Sequence, residues 1–408
     1  MRDHAAETML GWIDAQRDAQ VRFLAELVKA PSDNPPGDCA PAAARATVLL
    51  EELGFTVEGH PVPEALVRAN GMVSAVNLIV RRRFGPGPVV ALNAHGDVVP
   101  PGEGWSVDPY GAVIRDGAMI GRGVAVSKSD FATYAFALKA LEVAAPARGT
   151  VELHFTYDEE AGGAIGPEWL LAEGLTKPDF AISAGFAYAI TTAHNGCLHL
   201  EVAVRGKSAH AAKPETGHDA LEAATRILST LYALRGGLGA TVSSVPGIGS
   251  PKLTVGLIKG GINTNVVPDL VTFRLDRRMI PEEEPERVER DLRREIEAAA
   301  ALPGIKIEIR RILLARALTP QPGQEQLVDA LKQSAKRILG EDIPAEGVPL
   351  YTDARHYSAA GIPTVLYGAG PRTLEESNAH RADERLKLDD LAKATKVVAL
   401  ALAAMLTG

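Results

Sequence analysis

The strongest constraint on this fold is a change of rhythm along the chain. Up to about residue 190, short apolar runs alternate with helical segments, and the same pattern resumes from about residue 320 to the C-terminus. The runs Val76–Val80, Val89–Leu92, Val151–Phe155 and Phe180–Ile182 are apolar almost throughout. Strands buried on both faces read this way, and they belong to mostly parallel sheets covered by helices. The middle of the chain reads differently. Leu198–Val204 alternates apolar with polar, as a strand with one wet face does, and Leu221–Leu234 reads as a helix. Lys252–Ile258 and Leu270–Leu275 read as strands, Pro281–Ala301 as a charged helix and Ile305–Ile309 as a strand. Strand, helix, strand, strand, helix, strand is the order of an open α+β sandwich of ferredoxin-like type. The expected architecture is therefore an α/β domain of residues 1–195 and 315–408, interrupted by an α+β insert of residues 196–314. Residues 5–30 read as one amphipathic helix, stopped by Pro31 and Asn34-Pro35-Pro36-Gly37.

At 408 residues the chain is too long for one ordinary core, which agrees with two domains. Its net charge of −8 and scattered Lys and Arg argue against nucleic acid or an anionic membrane as a main partner. The two cysteines, Cys39 and Cys197, are far apart and outside any CxxC pattern. No disulfide framework is expected, which suits a reducing compartment. The N-terminus has no apolar run of the signal-peptide kind, and no stretch is long enough to span a membrane, so the expected location is the cytoplasm.

Three segments stand out chemically, two of them at the carboxyl ends of strands, where ligands bind in α/β sheets. The first is Asn93-Ala94-His95-Gly96-Asp97, in which the Asp is placed to orient the imidazole of a metal-binding His. A capping His is the plainer alternative. The second is Tyr157-Asp158-Glu159-Glu160-Ala161-Gly162-Gly163. Adjacent carboxylates repel one another unless a cation is near, and a metal ligand beside a general base accounts for the pair. A solvated acidic loop is the alternative. The third is Asn378-Ala379-His380-Arg381-Ala382-Asp383-Glu384, which also reads as an exposed loop before the last helix.

Taken in order, these segments resemble the M20 family of metallohydrolases, and the resemblance runs through nearly the whole chain. Trp105-Ser106-Val107-Asp108-Pro109-Tyr110, Asp116-Gly117 and Gly121-Arg122-Gly123 are similar to the family's stretch after its first His. Gly206-Lys207-Ser208-Ala209-His210 and the segment Gly260–Pro268, with Asp276-Arg277-Arg278, resemble its inserted domain. Thr352-Asp353-Ala354-Arg355 and Gly361-Ile362-Pro363-Thr364 resemble the return to the first domain. The resemblance implies hydrolysis of a C–N bond at a divalent metal, Zn or Mn, in a homodimer paired through the insert. It implies His95, Glu160 and His380 as metal ligands, Asp97 as the orienting partner of His95 and Glu159 as general base. It further implies His210 of the partner chain as oxyanion donor, and Asn265 and Arg278 as residues that hold the substrate, Arg278 suiting a carboxylate.

Two positions depart from the family's pattern. Its bridging Asp falls on Val126, in Gly121-Arg122-Gly123-Val124-Ala125-Val126-Ser127-Lys128, and a further carboxylate falls on Gly185. Neither side chain can ligate. Three outcomes follow: one metal on Glu160, His380 and a shifted His95, a contribution from Asp130 one helical turn beyond Val126, or an empty site with a roomier apolar pocket. The expectation is a single-metal amide hydrolase acting on an N-acyl amino acid or small peptide-like carboxylate. The alternatives are a hydrolase of an unusual C–N bond such as an aromatic amine, and an inactive binding protein of the same fold.

Overall fold

The computed structural model describes residues 2–146 and 148–406. The chain forms two compact units, one of Met1–Thr192, Pro320–Glu346 and Thr352–Gly408, the other of Ala193–Thr319 and Gly347–Tyr351.

The larger unit is built on an eight-stranded sheet. Its order is Val57–Pro61, Val76–Arg83, Thr150–Thr156, Val89–His95, Phe180–Ser183, Thr364–Leu366, Ile190–His194 and Ala345–Val348. Val89–His95 runs parallel to both its neighbours, and Thr364–Leu366 runs parallel to Phe180–Ser183. Antiparallel pairs flank this parallel centre. The apolar runs read from sequence are these central strands, buried along almost their whole length. The helices Lys128–Ala144 and Leu388–Leu406 are themselves buried nearly all round, and Phe131 stacks on Phe155 with ring centroids 3.8 Å apart. A three-stranded sheet of Arg385–Lys387, Ala118–Ile120 and Val113–Arg115 ties the segment after His380 to the turn at Gly121–Gly123.

The N-terminal region is two helices, Arg2–Ala15 and Arg17–Val28, rather than the single one expected. Their buried stripe, Met9, Ile13, Gln20, Phe23, Leu24 and Leu27, continues across the break, so periodicity alone does not reveal it.

The smaller unit is a four-stranded antiparallel sheet in the order Lys252–Gly260, Leu270–Met279, Gly196–Arg205, Lys306–Ala315. Leu198, Leu200, Val202 and Val204 point to one face and are buried with residues of the helices Ala220–Leu238 and Pro285–Ala299. Leu198–Val204 lies in an interior strand, hydrogen-bonded on both sides, and the edges are Lys252–Gly260 and Lys306–Ala315.

Candidate active site

The parallel centre of the large sheet delivers His95 as the last residue of its strand, 7% exposed. Its Nδ1 lies 3.0 Å from the Asp97 carbonyl oxygen and 3.3 Å from Asp97 Oδ1. Asp97 is fully buried and holds more than the imidazole. Its carboxylate accepts the backbone N–H of Glu159 at 3.2 Å, that of Glu160 at 3.0 Å and the Asn34 amide at 3.0 Å. The Glu159–Glu160 turn therefore hangs on the same aspartate that orients His95. Glycine is required beside it, because a Cβ at Gly96 would meet the Tyr157 ring at 2.4 Å.

His95, Glu159 and Glu160 present donor atoms that all lie within 4.8 Å of one another. His95 Nε2 is 3.9 Å from Glu159 Oε2, and His380 Nε2 is 3.3 Å from Glu160 Oε1. His380 sits in the left-handed region at φ 61, in a segment anchored by Glu384. That carboxylate is buried, pairs with Arg122 at 2.6 Å and accepts the N–H groups of Ala125 and Val126 at 2.9 and 3.2 Å. Removing one partner of so buried a pair typically costs about 3–5 kcal/mol.

Charge is unbalanced here. Burial, the neighbouring Glu160 and Asp97 raise the Glu159 carboxyl above the usual range, against the pull of His95. Burial alone would lower the His95 pKa, but Glu159, Asp97 and Glu160 together carry it well above its ordinary value. The group thus retains protons where a cation would replace them, and one imidazole with two carboxylates is a donor set that divalent metals take.

Residues 91–404 match the family described as Peptidase family M20/M25/M40. The chain belongs to this family. Among curated relatives, it is 27% identical over 403 residues to succinyl-diaminopimelate desuccinylase of Gluconacetobacter diazotrophicus, covering 96% of this chain and 98% of that one. It is 28% identical over 358 residues to acetylornithine deacetylase of Photorhabdus laumondii subsp. laumondii, covering 86% of each. Among solved structures, the M20 family metallo-carboxypeptidase Sso-CP2 of Sulfolobus solfataricus superposes with a TM-score of 0.78 at 19% identity, over 95% of this chain and 99% of that one. The Bacillus subtilis YXEP protein, described as a dinuclear metal binding peptidase from the M20 family, does so with a TM-score of 0.68 at 19% identity, over 96% and 99%. The chain is accordingly a hydrolase of the M20 family, with the α/β fold and α+β insert that the sequence pattern suggested.

The two departures from the M20 pattern have different structural settings. Val126 is half-buried in the turn held by Glu384. Gly185 has no space around it: a Cβ there would meet Leu366 C, Leu366 Cβ and Tyr367 N at 2.8 Å. The roomier pocket of the third outcome gains no room at Gly185, because the backbone after Thr364–Leu366 lies where its Cβ would stand. Asp130 is not in the group of donors that converges at His95 among the described residues. It lies in the first turn of Lys128–Ala144, fully buried, and accepts the Ala369 N–H at 2.7 Å. Burial pushes its pKa up to about 7, against hydrogen bonds from the Ala369 and Gly185 backbone.

In the insert, His210 is exposed and its Nδ1 accepts the Ala212 N–H at 3.1 Å. It bridges to Val266, next to Asn265, whose carbonyl accepts the Ala211 N–H at 3.0 Å, so the fold brings these two together. Arg278 lies on Leu270–Met279, its Nε 3.0 and 3.1 Å from the two Asp276 oxygens and its guanidinium 5.6 Å from the Tyr351 ring centroid. The sequence reading missed Glu384, the anchor of the His380 segment, although it stands four residues beyond that histidine. It also missed that Cys197, His199 and Asp276 meet across two strands.

Proposed function

We propose that this protein is a metal-dependent hydrolase that cleaves the amide bond of an N-acyl amino acid or small peptide-like carboxylate. A single Zn or Mn is held by His95, Glu160 and His380. The observation that carries the reading is the convergence of His95, Glu159 and Glu160, all clamped by Asp97, in a site with more carboxylates than cations. A divalent ion bound there supplies Lewis-acid polarisation of the carbonyl and a water of lowered pKa. Glu159 takes the proton of the attacking water and delivers it to the leaving nitrogen, a role its raised pKa suits. Asp97 fixes the His95 ring and the Glu159 backbone, so base and ligand keep their spacing. His210 of the partner chain donates to the oxyanion. Asn265 and Arg278 hold the substrate, Arg278 anchoring a carboxylate through guanidinium nitrogens not committed to Asp276.

The same reading makes the protein a cytoplasmic homodimer. Among the described residues no helix is long and apolar enough to cross a membrane, and neither cysteine is in a disulfide. The inactive binding-protein alternative leaves the crowded carboxylates without a cation, a costly state for buried charge. The test is manganese titration of metal-stripped protein. Glu160→Gln and His380→Ala weaken the site by at least about tenfold, as loss of a ligand should. Wild-type affinity in both variants would overturn the assignment.

A further inference from the structure

The insert carries a second convergence of ligand-type side chains. Gly196–Arg205 and Leu270–Met279 pair antiparallel, with Asp276 opposite His199 and Arg278 opposite Cys197. Alternation sends Leu198 and Leu200 into the helix-covered core and places Cys197, His199, Asp276 and Arg278 together on the other face. Cys197 is fully buried, while the side chains of His199 and Asp276 are 33% and 32% exposed.

The three side chains meet one another at hydrogen-bonding distances. His199 Nε2 lies 3.2 Å from Cys197 Sγ and 3.4 Å from Asp276 Oδ2. A ring nitrogen has one in-plane site, a proton or a lone pair, and two partners crowd the same one. Cys197 Sγ in turn lies 3.6 Å from Asp276 Oδ1. An ion about 2.3 Å from sulfur and 2.0–2.2 Å from nitrogen and oxygen, at tetrahedral angles, sets such donors roughly 3.4–3.6 Å apart. The nitrogen-to-oxygen and sulfur-to-oxygen separations, 3.4 and 3.6 Å to the two Asp276 oxygens, fall within that spacing, and the sulfur-to-nitrogen one, 3.2 Å, is shorter. Arg278 Nε holds both Asp276 oxygens, and ligating carboxylates are commonly steadied in this way, with lone pairs left for a metal.

We propose that Cys197, His199 and Asp276 form a second metal site, distinct from the hydrolytic centre, that takes a thiophilic divalent cation of the zinc class. Sulfur, imidazole and carboxylate supply three ligands, and the exposed side of His199 and Asp276 leaves a fourth position to solvent. A thiolate and a carboxylate neutralise a divalent ion, so the nearby guanidinium leaves the locale cationic and makes an anion the favoured fourth ligand. The site shares Arg278 with the carboxylate anchor proposed above, but none of its ligands with the hydrolytic centre, whose ligands contain no sulfur.

That difference makes the test selective. Titrating the metal-stripped full-length protein with Co²⁺ should raise a near-ultraviolet thiolate-to-cobalt charge-transfer band, which a site of imidazole and carboxylates cannot give. The chain has only two cysteines. The band is expected to disappear in Cys197→Ser and to persist in Cys39→Ser and in His380→Ala. His199→Gln keeps both cysteines and should weaken cobalt binding, read from this band, by at least about tenfold. This variant decides the matter if Cys197→Ser fails to fold. No band at saturating cobalt, a band that survives Cys197→Ser, or unchanged affinity in His199→Gln would overturn the proposal.

Discussion

Asp97 receives the backbone of both adjacent glutamates and orients His95, so one buried carboxylate sets the relative positions of the proposed base and two ligands. Asp130 is a second buried carboxylate with a different task, bonded to the Ala369 N–H where the chain returns after its last parallel strand. Its raised pKa, about 7 against an ordinary 3.8, has a definite sign in stability. Between those two values the folded protein holds a proton that the unfolded chain has released, so stability falls as pH rises from about 4 to about 7 and is then level. Asp130→Asn keeps an oxygen for Ala369 and removes the ionisation. Urea unfolding should show a flatter profile over that range, with the variant on the order of 2 kcal/mol more stable than wild type at pH 7.5. A variant with the wild-type slope would contradict the assignment. His95 and the Glu159–Glu160 pair stood out in the sequence because they fall at strand ends, and His380 because of its place in a recognisable order. Glu384 and Asp130 did not, since their importance comes from backbone N–H groups distant in sequence, which no local pattern announces.

At the level of elements, the insert's exposed edge matters most. Lys252–Gly260 is hydrogen-bonded on one side only within the sheet, and Leu257 and Ile258 on it are 61% and 55% exposed. The outer face of Ala220–Leu238 adds exposed Leu221, Tyr232 and Leu234. An open strand edge with apolar side chains invites pairing with a second chain. Leu257→Lys combined with Ile258→Lys should convert the proposed dimer to monomer in sedimentation, with the fold preserved by circular dichroism. A double variant that still sediments as a dimer would place the interface elsewhere. Alternation identified each strand of the insert, but strand order is a tertiary property. Leu198–Val204 alternates as an edge or an interior strand alike, and it proved interior. The break at Gln16 escaped notice for a related reason, since a continuous buried stripe carries no mark of a local change in backbone.

For the whole molecule, the change of rhythm along the chain was enough to read an α/β sheet interrupted by an α+β insert, because two-face burial and one-face burial leave different patterns. What sequence could not convey was the volume around the altered positions. Gly185 reads as an opening in a list of residues, yet in three dimensions its missing side chain is a condition for Leu366 and Tyr367 to pass at 2.8 Å from where a Cβ would stand. Glycine at 185 is thus built into the packing of the sheet's carboxyl end. The most direct test of the central claim is release of free amine from a panel of N-succinyl and N-acetyl amino acids, with the protein loaded with Zn or Mn. The account predicts turnover that a chelator abolishes and that Glu159→Gln lowers by about 10²–10⁴-fold while metal binding persists. Turnover that is indifferent to chelator and to Glu159→Gln, or none across the panel from fully loaded protein, would contradict it.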